Sequence, residues 1–303
     1  MSESKIVLPS TEVDFFSSVH DVYPFIDPTS HFVSKTFKDK VVIITGGSVG
    51  IGATTALFYA KAGAKVVIVA RRLAQLEQCK EDIEKKVPGA QVLVLSSDIS
   101  DPEVGKGAVK TAVESWGRLD IVVANQFISM APVGKFADND PVAWWYTQEV
   151  NVRGTLNIVH AAIPELLKTK GQIIATSSVA AHARFPISMD YNISKHTLNR
   201  FVEILALDYP SIFVCAVHPG EIETPGSTRS LSELGLAGVI PTPDTLALPA
   251  ATFLWLTARN AEFLSGRYVQ ATWDLSEVLA KKDEIVRDNL LVTKLAGPTV
   301  QSV

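Results

Sequence analysis

Residues 41–52, VVIITGGSVGIG, decide the fold of this chain. An apolar run of β-branched residues predicts a buried strand, and the amphipathic stretch ATTALFYAKAG that follows predicts a helix. Between them, Gly46, Gly50 and Gly52 let the backbone turn sharply and approach a pyrophosphate at the helix N-terminus. A glycine pattern alone is weak evidence, but one between a strand and a helix predicts a dinucleotide site. We place Ser48 and Ile51 in the same turn.

Further short runs rich in Val and Ile follow this stretch, separated by segments of helical period. The runs cover residues 41–45, 65–70, 91–95, 120–125, 171–177, 212–217 and 267–272. Continuous apolarity is typical of strands that are buried on both faces. The pattern predicts the α/β class, with a doubly wound, Rossmann-type parallel sheet of about seven strands and helices on both faces.

We expect one catalytic domain over residues 38–275, because no change in composition divides it. Residues 1–37 form an N-terminal extension, which is too aromatic for a solvated tail. We interpret it as a strap on the domain surface, with an arm between subunits as the alternative. Residues 276–303 form a C-terminal tail, for which the pattern predicts an amphipathic charged helix.

Composition excludes several function classes. The chain has 303 residues, 47% of them hydrophobic, and a formal net charge of −4. This charge argues against a nucleic-acid partner held by phosphate contacts, and no apolar run is long enough to span a membrane. The N-terminus does not resemble a secretory signal. Cys79 and Cys215 are expected to be free thiols, so we predict a cytoplasmic protein. We assign no metal ligands.

The end of the second predicted strand selects between the two nicotinamide dinucleotides. An acidic residue about 20 positions after the glycines would bind the ribose 2′-hydroxyl of NAD(H). This chain has Arg71 and Arg72, and a guanidinium can bind a 2′-phosphate through charge-assisted hydrogen bonds. We therefore predict NADP(H), the alternative being two solvated arginines. Asp98 is placed at the adenine edge, and Asn125 at the crevice where such sheets bind ligands.

Five motifs in order, TGGSVGIG, NVRG, SS, YNISK and PGEIET, carry a family resemblance. Over residues 38 to about 275 the chain resembles the short-chain dehydrogenases/reductases in their compact single-domain branch. The resemblance implies a catalytic tetrad of Asn151, Ser178, Tyr191 and Lys195, with Tyr191 and Lys195 also contacting the cofactor. It further implies cofactor contacts from the loop after the sixth strand, at Pro219, Gly220, Ile222 and Thr224.

Each tetrad residue has an expected role in the reduction of a ketone. Tyr191 would give a proton to the alkoxide, and Lys195, one helical turn away, would lower the pKa of the tyrosine. Ser178 would hydrogen-bond the substrate oxygen, and Asn151 would hold a water that leads to Lys195. A Tyr–Lys pair alone is more often structural, and the joint occurrence of the motifs favours catalysis.

The chain departs from the family where relatives read Asn-Asn-Ala-Gly and it reads Ala-Asn-Gln-Phe (124–127). We expect the added bulk of Gln126 and Phe127 to reshape the floor of the substrate pocket. The pocket is predicted to be apolar and to include Phe127, Met130, Phe185 and Met189. We interpret an insertion at residues 226–241 as a mobile lid. His218 replaces an asparagine of the family and is expected to be neutral.

The sequence therefore predicts an NADP(H)-dependent oxidoreductase for a medium-sized, largely apolar ketone or secondary alcohol. The chain's two ends resemble reductases of filamentous fungi, which suggests a secondary metabolite as substrate. Relatives are homodimers or homotetramers, so the same is expected here. The alternative from another class is a redox-sensing protein that binds NADPH without turnover. An epimerase and an enoyl reductase are disfavoured by the spacing of the glycines and of Tyr191 and Lys195.

Overall fold

The computed structural model describes residues 13–130, 135–184 and 188–295. Its centre is a parallel sheet of seven strands in the order β3-β2-β1-β4-β5-β6-β7. The strands are β1 (Val41–Thr45), β2 (Lys65–Ala70), β3 (Val92–Ser96), β4 (Ile121–Ala124), β5 (Gln172–Thr176), β6 (Phe213–His218) and β7 (Arg267–Gln270). The predicted α/β fold, with helices on both faces, is confirmed.

Helices cover both faces of this sheet. They are α1 (Thr29–Ser34), α2 (Gly50–Lys61), α3 (Leu73–Lys86), α4 (Pro102–Trp116), α5 (Pro141–Gln148), α6 (Gly154–Thr169), α7 (Met189–Asp208), α8 (Pro225–Glu233), α9 (Ala247–Trp255), α10 (Leu275–Ala280) and α11 (Lys282–Arg287). Alternate residues of β1 enter different cores: Val42 and Ile44 pack with α2 and α9, whereas Val41 and Ile43 pack with α4 and α6. This division explains why every residue of β1 is apolar or buried.

The winding of the chain reverses between β3 and β4, which places β4 beside β1. Thr45, at the end of β1, is level with Ala124, and Ala124 is level with Ala175 of β5. The carboxyl ends of the central strands therefore open onto one crevice. Ligands of doubly wound sheets bind at such a switch point.

The described part of the N-terminal extension packs along the edge of the sheet. Ser18 forms an antiparallel bridge with Trp273, and the ring of Phe16 meets that of Trp273 edge-on at 5.2 Å. Phe37 is buried and contacts Tyr59 of α2 at a ring distance of 5.1 Å. Aromatic side chains of the extension thus contribute to the core of the domain.

Two details of the helices differ from the prediction. The helical period of residues 73–87 predicts one buried stripe that contains Leu73, Leu76, Ile83 and Val87. Leu73 is instead 52% exposed, whereas Cys79 is buried with Leu76 and Ile83. The tail contains two short helices, α10 and α11, where one helix was predicted. Helix α10 ends before Lys281, where the backbone leaves the helical region (φ −98°, ψ 10°). Both cysteines are free and buried.

Candidate active site

The glycine turn has the geometry of an anion cradle. Gly46 and Gly50 have φ values of 61° and 57°, a region that favours glycine. A Cβ on Gly52 would lie 2.2 Å from the Gly46 carbonyl oxygen, so only glycine fits. No side chain caps the start of α2, which leaves its first N–H groups open to a ligand. Ser48 is buried in the turn, and Ile51 packs against the core beneath it.

Asn125 forms hydrogen bonds that link the ends of β1, β4 and β5 below the glycine turn. Its backbone N–H donates to Thr45 Oγ1 (3.1 Å) and its side-chain Nδ2 donates to the Gly46 carbonyl (3.3 Å). Thr176 Oγ1, at the end of β5, donates to Asn125 Oδ1 at 3.4 Å. The Asn125 side chain lies at the predicted crevice, where these bonds fix the position of the turn.

Arg71 and Arg72 are exposed where β2 ends, and Asp98 follows β3 beside them. Burial raises the pKa of Asp98, but hydrogen bonds from Ser100 and the positive charge of Arg71 lower it overall. The Ser100 N–H and hydroxyl donate to Asp98 Oδ1 at 3.0 and 2.8 Å. A carboxylate kept charged by these bonds, next to two exposed guanidinium groups, fits the adenosine end of a dinucleotide.

The three side chains predicted for the proton-transfer centre come together where β5 ends and α7 begins. Lys195 Nζ lies 5.5 Å from the centre of the Tyr191 ring, and the Ser178 hydroxyl hydrogen-bonds the Tyr191 phenol. The geometry distinguishes the two neighbouring serines. Ser177 Oγ donates to Asn199 Oδ1 at 2.6 Å and is held in the scaffold, whereas Ser178 is the serine that contacts Tyr191.

The pKa of Tyr191 differs from the expectation. Burial raises it to about 12, although the hydrogen bond from Ser178 lowers it. Burial also lowers the pKa of Lys195 to about 7, and its Nζ donates to the Thr176 carbonyl at 2.7 Å. In the protein alone, burial outweighs any lowering of the tyrosine pKa by Lys195, and the lowering expected from Lys195 together with the positive nicotinamide stays a prediction. Lys195 is buried with the phenol, and burial disfavours the charged form of both groups.

Asn151 lies in a wide helical turn, Glu149–Arg153, whose π-type geometry is common at functional sites. Its Oδ1 accepts from the Ile128 N–H and its Nδ2 donates to the Ile128 carbonyl, both at 2.9 Å. Nδ2 also donates to Ser194 Oγ at 2.9 Å. Asn151 thus holds the loop after β4 against α7.

The loop after β6 joins the glycine turn to the far side of the crevice. Pro219 and Gly220 follow the buried His218, whose pKa burial lowers to about 3, so this histidine is neutral at pH 7 as expected. Ile222 is buried, and Thr224 Oγ1 caps α8 by accepting from the Ser227 N–H at 3.0 Å. A Cβ on Gly50 would lie 3.2 Å from the Thr224 methyl group. The loop and the glycine turn are therefore in close approach.

Gln126 and Phe127, the two residues that depart from the family pattern, take different positions in the structure. Gln126 is buried below the crevice, where Thr45 Oγ1 donates to its Oε1 and its Nε2 donates to Thr155 Oγ1 at 2.9 Å. Because its side chain is held in the scaffold, Gln126 can affect the pocket floor only from below, and this effect stays a prediction. Phe127 faces the site, with its ring edge-on to Tyr191 at 6.1 Å.

The remaining predicted pocket residues are placed in part. Met130 and Met189 are exposed near the crevice, and Phe185 lies outside the described residues. Asp190 is a neighbour that sequence reasoning missed. Its buried Oδ2 accepts from the Met130 N–H at 3.0 Å and from Thr147 Oγ1 at 2.5 Å. Asp190 therefore fixes the loop that presents Phe127 and Met130.

A second missed group is Asp244, which is buried against the loop after β6. Its Oδ2 accepts from the Glu221 N–H at 2.6 Å, and its Oδ1 lies 2.6 Å from His20 Nδ1. Burial and the negative charge of Asp244 raise the pKa of Glu221 to about 6. No sequence pattern joins residues so far apart, so no signal in the sequence could have found this contact.

Comparison with known proteins agrees with this geometry. Residues 40–234 match the model of the short chain dehydrogenase family. The chain is 33% identical to the short chain dehydrogenase pigC of Monascus ruber over 294 residues, which cover 93% of this chain and 94% of that protein. It is also 33% identical to the short chain dehydrogenase mpl6 of Monascus purpureus, covering 95% and 98% of the two chains.

Solved structures show the same architecture. The L-sorbose reductase of Gluconobacter frateurii, solved with NADPH and L-sorbose, is 26% identical, with a TM-score of 0.70 over 77% of this chain and 95% of that one. A levodione reductase shares the fold with a TM-score of 0.73 at 24% identity, covering 80% and 99%.

The chain belongs to the short-chain dehydrogenase family, as the motifs predicted. The family binds nicotinamide cofactors, and the glycine cradle and uncapped helix described above fit such a dinucleotide. Within the described ranges, no helix combines the length and apolarity needed to cross a bilayer.

Proposed function

We propose that this protein is an NADP(H)-dependent oxidoreductase that reduces a ketone to a secondary alcohol. The observation that carries the proposal is the close approach of the partly buried Tyr191 to the buried Lys195 and Ser178 beside a dinucleotide cradle. Arg71 and Arg72 favour NADP(H), because exposed guanidinium groups suit a 2′-phosphate. The bound nicotinamide would supply the hydride. Gly46, Gly50, Gly52, Ile222 and Thr224 would hold the cofactor, with Lys195 on its ribose.

The protein's own side chains would then carry out the proton transfer. A phenol with a pKa of about 12 is fully protonated near pH 7, so Tyr191 is ready to act as the acid of the reductive direction. It gives its proton to the alkoxide that forms on the substrate, while the Ser178 hydroxyl hydrogen-bonds the same oxygen. Lys195, with a pKa of about 7, exchanges protons readily at neutral pH and returns one to Tyr191. Asn151 would hold the water that leads from Lys195 to solvent.

Apolar side chains around the crevice support a medium-sized, largely apolar substrate. Phe127 stands against Tyr191, and Met130 and Met189 flank the entrance. The likeness of most of the chain to Monascus proteins favours a secondary metabolite. We also propose a homodimer or homotetramer. Exposed apolar residues on α6 and α7, two helices that pack on the same face of the sheet, favour association, namely Leu156, Leu167, Ile193, Ile204 and Leu207.

The test is NADPH oxidation, followed by absorbance, with a panel of cyclic ketones of increasing size. Turnover that depends on Tyr191 supports the proposal. Tight NADPH binding without turnover of any ketone contradicts it and supports the alternative, a redox-sensing protein. Equal affinity for NADPH and NADH contradicts the cofactor assignment alone.

A further inference from the structure

Residues 13–21 of the N-terminal extension, which we call the strap from here on, are hydrogen-bonded to the end of β7. The Val19 N–H donates to the Thr272 carbonyl and the Asp274 N–H donates to the Ser17 carbonyl, both at 2.8 Å. Ser17 Oγ also donates to Glu277 Oε1 of α10 at 2.7 Å. These bonds fix the path of the strap on the side of the sheet where β7 is the edge strand.

From this edge the strap reaches one buried carboxylate, Asp244. His20 Nδ1 lies 2.6 Å from Asp244 Oδ1, and because a carboxylate oxygen accepts, the imidazole is the donor. Two further bonds secure the contact: the Thr245 N–H donates to the His20 carbonyl at 3.0 Å, and Thr245 Oγ1 donates to Asp21 Oδ1 at 2.6 Å. The side chain of Asp244 is 2% exposed whereas that of His20 is 57% exposed, so the imidazole lies between the carboxylate and solvent.

The other oxygen of Asp244 fixes the loop that follows β6, residues 219–224. Oδ2 accepts from the Glu221 N–H at 2.6 Å, and the Asp244 N–H donates to the Glu221 carbonyl at 3.2 Å. Gly220 has a φ of 113°, and a Cβ there would lie 2.7 Å from Oδ2. Only glycine therefore allows the carboxylate to approach the loop backbone so closely.

The opposite end of the same loop contacts the dinucleotide turn. Thr224 caps α8, and its methyl group lies 3.2 Å from the place where a Cβ on Gly50 would be. Loop 219–224 is thus fixed at one end by Asp244 and at the other by its contact with the glycine turn. The strap touches only the first of these two supports.

We propose that His20 and Asp244 are positioning residues that hold loop 219–224 in its cofactor-binding conformation. The inference rests on the proposed function, in which Ile222 and Thr224 contact the nicotinamide end of the cofactor. The strap contributes no group to the reaction. It completes the hydrogen bonding of Asp244, and Asp244 in turn orders the loop.

The experiment compares the wild-type protein with four variants. His20→Ala removes the donor to Asp244. His20→Asn is the conservative rescue, because the side-chain nitrogen of asparagine sits close to the place of Nδ1 and also donates. Ser17→Ala is the matched control, since it removes a strap hydrogen bond to a different carboxylate, that of Glu277, away from the loop. Asp244→Asn is a second variant of the same contact.

Two measurements follow the loop and the site separately. Amide hydrogen exchange of a peptide that covers residues 219–224 is expected to speed up in His20→Ala and Asp244→Asn, and not in Ser17→Ala. The Kd of NADPH, measured by fluorescence titration, is expected to rise about tenfold in His20→Ala and to recover in His20→Asn. KM for NADPH should rise similarly while kcat changes less than about twofold, because Tyr191 and Lys195 are not moved.

Each outcome has a defined meaning. Unchanged exchange in the loop of His20→Ala overturns the inference, whatever the cofactor data show. Faster exchange with an unchanged Kd overturns the link to the cofactor, and equal effects of Ser17→Ala and His20→Ala would show a general loosening of the strap, which also overturns it. A wild-type protein that binds neither NADPH nor NADH defeats the proposed function, a result that the loop exchange does not depend on.

Discussion

Lys195 Nζ lies 5.5 Å from the centre of the Tyr191 ring, yet it donates its hydrogen bond to the Thr176 carbonyl at 2.7 Å. The amine is therefore held below the phenol by the end of β5. Burial moves the pKa values of these two groups in opposite directions, to about 12 for Tyr191 and about 7 for Lys195. At neutral pH the phenol keeps its proton, and the amine changes its charge with small changes of pH.

The first prediction concerns Tyr191. Tyr191→Phe removes the proton donor and keeps the ring that packs against Phe127. We expect kcat for ketone reduction to fall by about 100-fold or more, with the Kd of NADPH and the melting temperature unchanged. Steady-state kinetics on the best ketone of the panel measures the effect. Turnover within about tenfold of wild type would show that another group supplies the proton.

Stability against pH tests the burial of Lys195. Its pKa is about 7 in the folded protein and 10.5 without burial, so between these values the unfolded chain binds more protons. The free energy of unfolding of the wild type should therefore rise with pH from 7 to 10, by up to about 1.4 kcal/mol per unit, relative to Lys195→Met. The lost bond to Thr176 shifts the curve of the variant without changing this slope.

Denaturant unfolding at several pH values gives these free energies. Lys110→Met, at an exposed position on α4, is the control and should run parallel to wild type. A constant difference between wild type and Lys195→Met from pH 7 to 10 would mean that the amine is not buried as described.

Cofactor choice depends on the exposed arginines at the end of β2. Arg71→Asp places a negative charge where the 2′-phosphate would bind, and we expect the Kd of NADPH to rise about 100-fold while that of NADH changes less than about threefold. Arg287→Asp in α11, beyond the opposite edge of the sheet, makes the same change in net charge and should affect neither. Equal weakening of both cofactors by Arg71→Asp would refute the NADP(H) assignment.

Phe127 and Gly226 form a contact that a double-mutant cycle can measure. A Cβ on Gly226 of α8 would lie 3.0 Å from Phe127 Cζ, so Gly226→Ala in the wild type should bring little or no gain in stability. In a Phe127→Ala background the same change should stabilise the protein by up to about 1 kcal/mol, the value for alanine over glycine in a helix interior, because Gly226 lies in the first turn of α8. Identical effects in both backgrounds, from denaturant curves, would mean that the ring does not contact α8.

The sequence predicts the sheet well because buried parallel strands are marked by their own residues. VVIIT and KVVIVA are apolar throughout, and they become β1 and β2 almost residue for residue. The motif residues Ser178, Tyr191 and Lys195 are also brought together, since each lies near the end of a predicted element. Features that depend on local sequence patterns can therefore be predicted from the sequence.

Features that depend on distant contacts were not predictable. The exposure of Leu73 follows from where α3 meets the sheet, and no residue nearby signals it. The raised pKa of Tyr191 reflects burial by the whole fold, which a Tyr–Lys spacing does not report. The contact of His20 with Asp244 joins two ordinary polar residues that are 224 positions apart.

The attachment of the strap also sets an order of events during synthesis. Ser17 leaves the ribosome before its partner Glu277, which is made 260 residues later. Phe15 and Phe16 therefore lack the Trp273 ring that they contact until nearly the whole domain has been translated. Nascent chains of this protein consequently carry an uncovered aromatic segment while the intervening residues are translated, which makes them candidates for chaperone capture.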